Sequence, residues 1–278
     1  MPKKLQSKVL FAVTACLLLG AASAQQIELN RQIWSSEVIR DYGQPVIPLF
    51  DGWYPNDDGS STMCFGYFNM NHQQTLDIPL GENNSLSDTR FAAQLPTHFD
   101  PLPPRYRHVF CAFTVTVPSD FGVDEKIVWN LTSNGQSLSV PGKLIPPYVM
   151  DEPASHGRGD VAPLVKLAPG DTGVRGRTGV HSTQAITARV GQPLDLRAWI
   201  EHPDGVVWVG WSHHSGPGEV QFDQQERQVV TAMGAVDEQA SFSEAGEYVV
   251  RLQTIDSIAA FEFYCCHTNA YFHINVVN

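Results

Sequence analysis

Beyond residue 43 the chain alternates apolar and polar residues with a period of two, in short runs punctuated by Gly, Pro, Asn and Asp. No long stretch carries apolar residues at i, i+3, i+4 and i+7, so the pattern predicts strands and almost no helix. The first half holds "PVIPLFDGWY", "STMCFGYFNMN", "QTLDIPLG", "HVFCAFTVTVP", "KIVWNLT" and "SLSVPG". In "HVFCAFTVTVP" the alternation assigns Val109, Cys111, Phe113, Val115 and Val117 to one face. Asp58-Gly59 and Asn134-Gly135 stand where hairpin turns need positive φ angles. The second half holds "QPLDLRAWI", "VVWVGWS", "EVQF", "ASFSEAGEYVVRLQTID" and "AYFHINVV". There Leu194, Leu196, Ala198 and Ile200 share a face, as do Tyr248, Val250 and Leu252, and Ala270, Phe272, Ile274 and Val276.

Between the halves, residues 143–179 lose periodicity and gain Pro and Gly, as a linker does. The expected organisation is all-β: two Ig/fibronectin-like β-sandwich domains, 44–142 and 180–278, joined by a Pro/Gly-rich linker over 143–179. Residues 25–43 form a polar lead-in segment.

The N-terminus changes the picture. Lys3, Lys4 and Lys8 precede an apolar run, and Ala22-Ser23-Ala24 offers a small-residue cleavage site, which together read as a secretory signal peptide over 1–24. No other stretch is long and apolar enough to span a bilayer. Removing the leader's three lysines leaves 15 basic against 29 acidic residues, a charge of −14. Such a chain repels phosphate backbones and anionic lipid, so nucleic acid is not an expected partner. Export to the periplasm, cell surface or medium follows.

"WSHHSGPGEVQF", "ASFSEAGEYVVRLQTID" and "INVV" resemble the polycystic-kidney-disease (PKD) type of Ig-like domain over about the last hundred residues. The resemblance implies a core tryptophan at Trp211 and a corner at Gly246-Glu247-Tyr248. It implies a spacer or a binder of protein or glycan rather than a catalyst. The family's Trp-x-Phe-Gly-Asp-Gly turn is absent, and an extra loop spans residues 256–269. "FDGWYPNDDGSSTMCFGYFNMN", "IPLGENN", "PTHFDP" and "VWNLTSNGQ" are similar to the N-terminal region of uncharacterised exported bacterial proteins.

Loss of Cys16 with the leader leaves Cys64, Cys111, Cys265 and Cys266. In an oxidising compartment an even count reads as disulfides, here within each half: Cys64–Cys111 and Cys265–Cys266. The vicinal ring would shape a loop presenting His267 and Asn269. The alternative is a Zn or Cu site, or an enzyme, built on His213, His214, Cys265, Cys266, His267 and His273. Adjacent cysteines in a strand point to opposite faces, which disfavours shared ligation. Arg158-Gly159-Asp160 is set aside as a chance triplet, and "PNDDGSS" lacks a full calcium-loop spacing. His98-Phe99-Asp100 reads as a loop tether or an acid–base pair. There is no Gly-x-Ser-x-Gly, no His-Glu-x-x-His and no phosphate loop. Trp53, Tyr54 and Trp208 lie near turns, where flat aromatic faces bind sugars or proteins.

The expectation is an exported, non-catalytic binding or spacer protein of the cell envelope or extracellular space. No cofactor is expected, and the partner is a protein or a glycan. Metal binding and a structural subunit of a surface assembly are the alternatives.

Overall fold

The alternation folds as expected into an all-β protein. The structure, a computed structural model, describes residues 40–101, 108–150, 161–224, 228–256 and 266–278. The signal peptide, the lead-in segment to residue 39 and Cys265 lie outside the described residues.

In the first half, β1 (Val46–Pro55), β2 (Ser61–Asn69) and β6 (His108–Val117) form one antiparallel sheet. A second sheet consists of β4 (Asn84–Leu86), β7 (Ile127–Ser133) and β8 (Gln136–Gly142), while β3 (Leu76–Asp77) and β5 (His98–Phe99) pair beside them. The inward faces of the two main sheets meet in one core, which makes this half a sandwich. Phe65 of β2 stacks on Phe113 of β6 with centroids 5.1 Å apart, and Phe113 meets Trp129 of β7 edge-on at 5.0 Å. Trp129 is fully buried, so its indole N–H needs a partner; Asn84 Oδ1 accepts it at 3.0 Å. Asn134 and Gly135 both have positive φ, 45° and 75°, and close the two-residue β7–β8 hairpin as their sequence requires.

Strand β6 departs from the simple alternation. Tyr67 pairs with Val109 and Phe65 with Phe113, so Phe110, Cys111 and Ala112 bulge out opposite Gly66. Cys111 takes φ +47° there, and its side chain packs with Tyr54 and Cys64 rather than in the main core with Phe113 and Val115. Two residues are added there, so alternation resumes in phase: Val109 packs on the same core as Phe113 and Val115, and Cys111 alone of the five is turned away from it.

In the second half, β12 (Leu194–Ser215) organises the sandwich. Leu194–Glu201 pairs with β14 (Gln228–Phe242), and Trp199–Glu201 also with β9 (Leu164–Lys166); after an irregularity between Glu201 and Val206, Val206–Val209 pairs with β14 again and Val207–Ser215 with β15 (Gly246–Asp256). One long strand thus joins these partners in a single eight-stranded sheet. β13 (Val220–Phe222) extends the β14 edge, β16 (His267–Val277) follows β15, and β10 (Val180–His181) and β11 (Ile186–Arg189) pair in parallel with β16. Leu196, Ala198, Ile200, Val250, Leu252, Phe272 and Ile274 fill the core, with Trp211 packed against it. Tyr248 donates its hydroxyl proton to the Glu244 carbonyl at 3.0 Å, the corner contact typical of Ig-like sandwiches.

The segment between the halves carries structure of its own. Val165 pairs with Ile200 through β9, Thr268 donates to the Pro163 carbonyl, and Asn269 donates to the Arg177 carbonyl. Residues 151–160 lie outside the described residues. Arg40–Asn278 forms one compact unit.

Candidate functional site

β12, β15 and β16 carry polar residues on the face turned away from their own core. The first sandwich covers them. Arg251, Gln253, His267, Asn269, Tyr271 and His214 are all at most 5 % exposed. Buried polar groups need partners, and much of what they bond to is backbone of the first half. Arg251 donates from Nη2 to the Cys111 carbonyl at 3.2 Å and from Nε to Asn269 Oδ1 at 3.0 Å. Tyr271 donates to the Ala112 carbonyl at 3.4 Å, and His267 meets the edge of Phe110. The bulge in β6 therefore presents consecutive carbonyls to the second sandwich. Asp51 fixes that bulge, since its carboxylate accepts the Cys111 amide proton at 2.6 Å and pairs with His108 Nε2 at 2.8 Å.

The other end of the seam is lined by histidines. His98 lies between two carboxylates, Asp77 Oδ1 at 2.6 Å from Nδ1 and Asp100 Oδ1 at 3.1 Å from Nε2. Burial opposes its charge, but bonds to Asp100 and Asp77 outweigh burial and raise its pKa. His213 stacks on His98 from across the seam, centroids 4.1 Å apart, and neither of its ring nitrogens meets a partner at hydrogen-bond geometry. Burial, followed by the His98 charge, pushes its pKa down to about 3. His214 turns to the other face and donates from Nε2 to the Gln94 carbonyl at 3.0 Å. Burial, then Arg251, lowers it to about 3 as well. Thr97 bridges both: its amide donates to the His214 carbonyl at 2.9 Å, and its Oγ1 accepts from the Gly216 amide at 3.1 Å.

The expected site residues are dispersed. Tyr54 is 4 % exposed, its hydroxyl 3.1 Å from Thr178 Oγ1 and its ring under the Arg177 guanidinium. Trp53 donates its indole proton to the Ile145 carbonyl at 2.9 Å, and half-buried Trp208 packs on Ile255 and Cys266. The expected open aromatic face is thus absent at Tyr54, whose ring lies in the seam, while Trp53 is half-buried against the first core. His267 and Asn269 are fully buried, so they do not stand on a presented loop.

The proposed metal set is likewise not assembled. His213 and His214 point apart, His273 Nε2 lies 3.2 Å from His181 Nδ1, and Cys266 is disulfide-bonded. Among the described residues no group of three or more His, Cys, Asp or Glu is arranged to hold a metal ion. The Cys64–Cys111 disulfide is present as read from the sequence. Cys265 lies outside the described residues. His98-Phe99-Asp100 is a tether, with Asp77 as an unforeseen third member. Arg251 and the His98–His213 stack had no signal in the alternation, because it marks them simply as polar.

No protein-family model matches the chain, and no curated protein matches it. Solved structures similar to it include the D00-D0 domain of intimin, at 10 % identity and TM-score 0.28 over 84 % of this chain and 100 % of that one. The titin Ig tandem A164-A165 has 10 % identity and TM-score 0.24, over 84 % and 98 %. The Yersinia pseudotuberculosis adhesin InvE has 10 % identity and TM-score 0.27, over 83 % and 58 %. The reading of the fold rests on the sheets, registers and cores described above.

Proposed function

We propose that this chain is an exported, non-catalytic spacer or binding protein of the cell envelope or extracellular space. The observation that carries the reading is the seam. Its ionisable side chains, which would serve chemistry in an open cleft, are buried; His214 and Arg251 hold one sandwich against the other, and His98 is held within the first. His98 is tethered by two carboxylates, His214 by a carbonyl, and Arg251 by a carbonyl and an amide. A general acid or base must reach a substrate proton, and 4–7 % exposure at His98, His213 and Arg251 leaves no approach. Rigid coupling of two sandwiches suits a module that sets distance and presents an outer surface. Among the described residues no helix is long and apolar enough to cross a membrane. The leader-like first 24 residues and the Cys64–Cys111 bond support an oxidising destination.

Fractionation tests the export half of the reading. The full chain should leave the cytoplasm with residues 1–24 removed, as read by mass spectrometry, and a chain lacking them should stay inside. Screening the purified protein on ester, peptide and glycoside substrates tests the other half. Turnover that disappears in His98→Ala or His213→Ala would overturn the non-catalytic reading.

A further inference from the structure

Most groups in the seam meet a partner at good hydrogen-bond geometry, but His213 does not. It is 4 % exposed and stacked on a histidine that two carboxylates hold; neither ring nitrogen meets a partner at good hydrogen-bond geometry, and among the described residues the Ser215 backbone is the one hydrogen-bonding group acting on it. A proton added to this ring would place two N–H groups in a closed seam where the Ser215 backbone is the one acceptor acting on them, 4.1 Å from the His98 ring, whose proton two carboxylates favour. Its sequence neighbour His214 is 5 % exposed and spends its single N–H on the Gln94 carbonyl of the opposite sandwich. A charged His214 would face the Arg251 guanidinium, which lies among the groups acting on it. Both rings therefore fit the docked seam only when neutral.

We propose that His213 and His214 form a proton-operated latch that holds residues 94–98 of the first sandwich on residues 213–216 of the second and releases them as pH falls.

Every charged or titratable neighbour bears on this balance. Facing His213 are His98 on β5, Asp100 just beyond it, and His214 on its own strand, with the Tyr248 ring of β15 at 5.6 Å. Asp100 and the Ser215 backbone favour a proton on His213, but burial, His98 and His214 outweigh them. Facing His214 are Arg251 on β15, His273 on β16, His181 on β10, and the Tyr271 ring at 5.4 Å. Arg251, His181 and His273 all oppose a proton there, and the Gln94 contact alone favours it.

The direction of the pH dependence follows from linkage. Released histidines take a proton near the ordinary value of 6.5, whereas docked ones resist until about 3. Between those values the open form binds two more protons than the docked form. Docking is thus complete above 6.5 and weakens about 100-fold per pH unit below it, roughly 10,000-fold between pH 7.5 and 4.5. The two aspartates and His98 tether one another within the first sandwich and do not need the second to form their bonds.

Hydrogen exchange on the intact chain reads the latch directly. The Thr97 and Gly216 amides donate across the seam, while amides of the β15–β16 ladder report global opening. After correction for intrinsic exchange, protection at Thr97 and Gly216 should fall with that slope while the ladder stays protected. His213→Phe with His214→Gln keeps a flat ring and a side-chain N–H for Gln94, and should flatten the profile. Identical profiles in the variant and the native chain would overturn the proposal, and so would loss of the seam and ladder together. Histidine C2-proton NMR on the native chain covers a variant that fails to fold. Signals of His213 and His214 should stay neutral at pH 6 in the docked form; ordinary titration near 6.5 in a chain whose seam amides remain protected would also overturn it.

Discussion

Replacing both Cys64 and Cys111 by alanine removes a crosslink between residues 47 apart in sequence. Closing a loop of that length in the unfolded chain corresponds to about 4 kcal/mol of stability at 25 °C. The folded site changes little, since both side chains are fully buried among Tyr54, Phe110 and Met150. Cys111 brings a second term, because φ +47° is unfavourable for any residue with a Cβ. Alanine keeps that strain and glycine relieves it. Cys64→Ala/Cys111→Gly should therefore be about 1 kcal/mol more stable than the double alanine, as far as glycine's extra freedom in the unfolded chain allows. Urea unfolding followed by tryptophan fluorescence measures both differences, provided the denaturant slope is compared as well. A loss below about 1 kcal/mol for the double alanine would refute the loop-closure account. A glycine variant weaker than the alanine one would show that the Asp51 carboxylate, not backbone relief, sets the energy of the bulge.

Three further outcomes follow from contacts described above. Trp129→Phe leaves Asn84 Oδ1 without its buried donor and opens space in the core, costing about 2–3 kcal/mol in the same denaturation assay. Gly179 has φ +72°, and a Cβ there would strike the Asn269 carbonyl, so Gly179→Ala should lower Tm clearly more than Gly135→Ala, whose Cβ meets open space at a similar φ. His98 should titrate above 6.5 by NMR, and Asp100→Asn should bring it down; an unchanged midpoint would refute the tether.

Period-two patterning set the inward faces of β12, β15 and β16 correctly where it was read along them. Leu196, Ala198, Ile200, Val250, Leu252, Phe272 and Ile274 all lie inward. Asn134-Gly135 placed its hairpin because few other residues tolerate that turn. Patterning failed where a second body intervened. It marks Arg251, Gln253 and His214 as facing away from their own core, which they do, yet that side is covered rather than wet. A polar position satisfied by a distant backbone carbonyl looks, in sequence, the same as one satisfied by water. Cys111 failed for another reason: Phe110–Ala112 oppose Gly66 alone, and the bulge turns Cys111 out of a face that Val109, Phe113 and Val115 still share. β9 escaped because three residues are too few for a period.

Strands β10 and β11 run parallel to β16, so the chain enters this ladder at one end and leaves it at the other. Tension applied between residue 180 and the C-terminus would pull these strands lengthwise past each other. Six residue pairings would then share the load at once instead of parting one after another. The second sandwich is accordingly arranged to resist stretching along the chain more strongly than peeling of its edge.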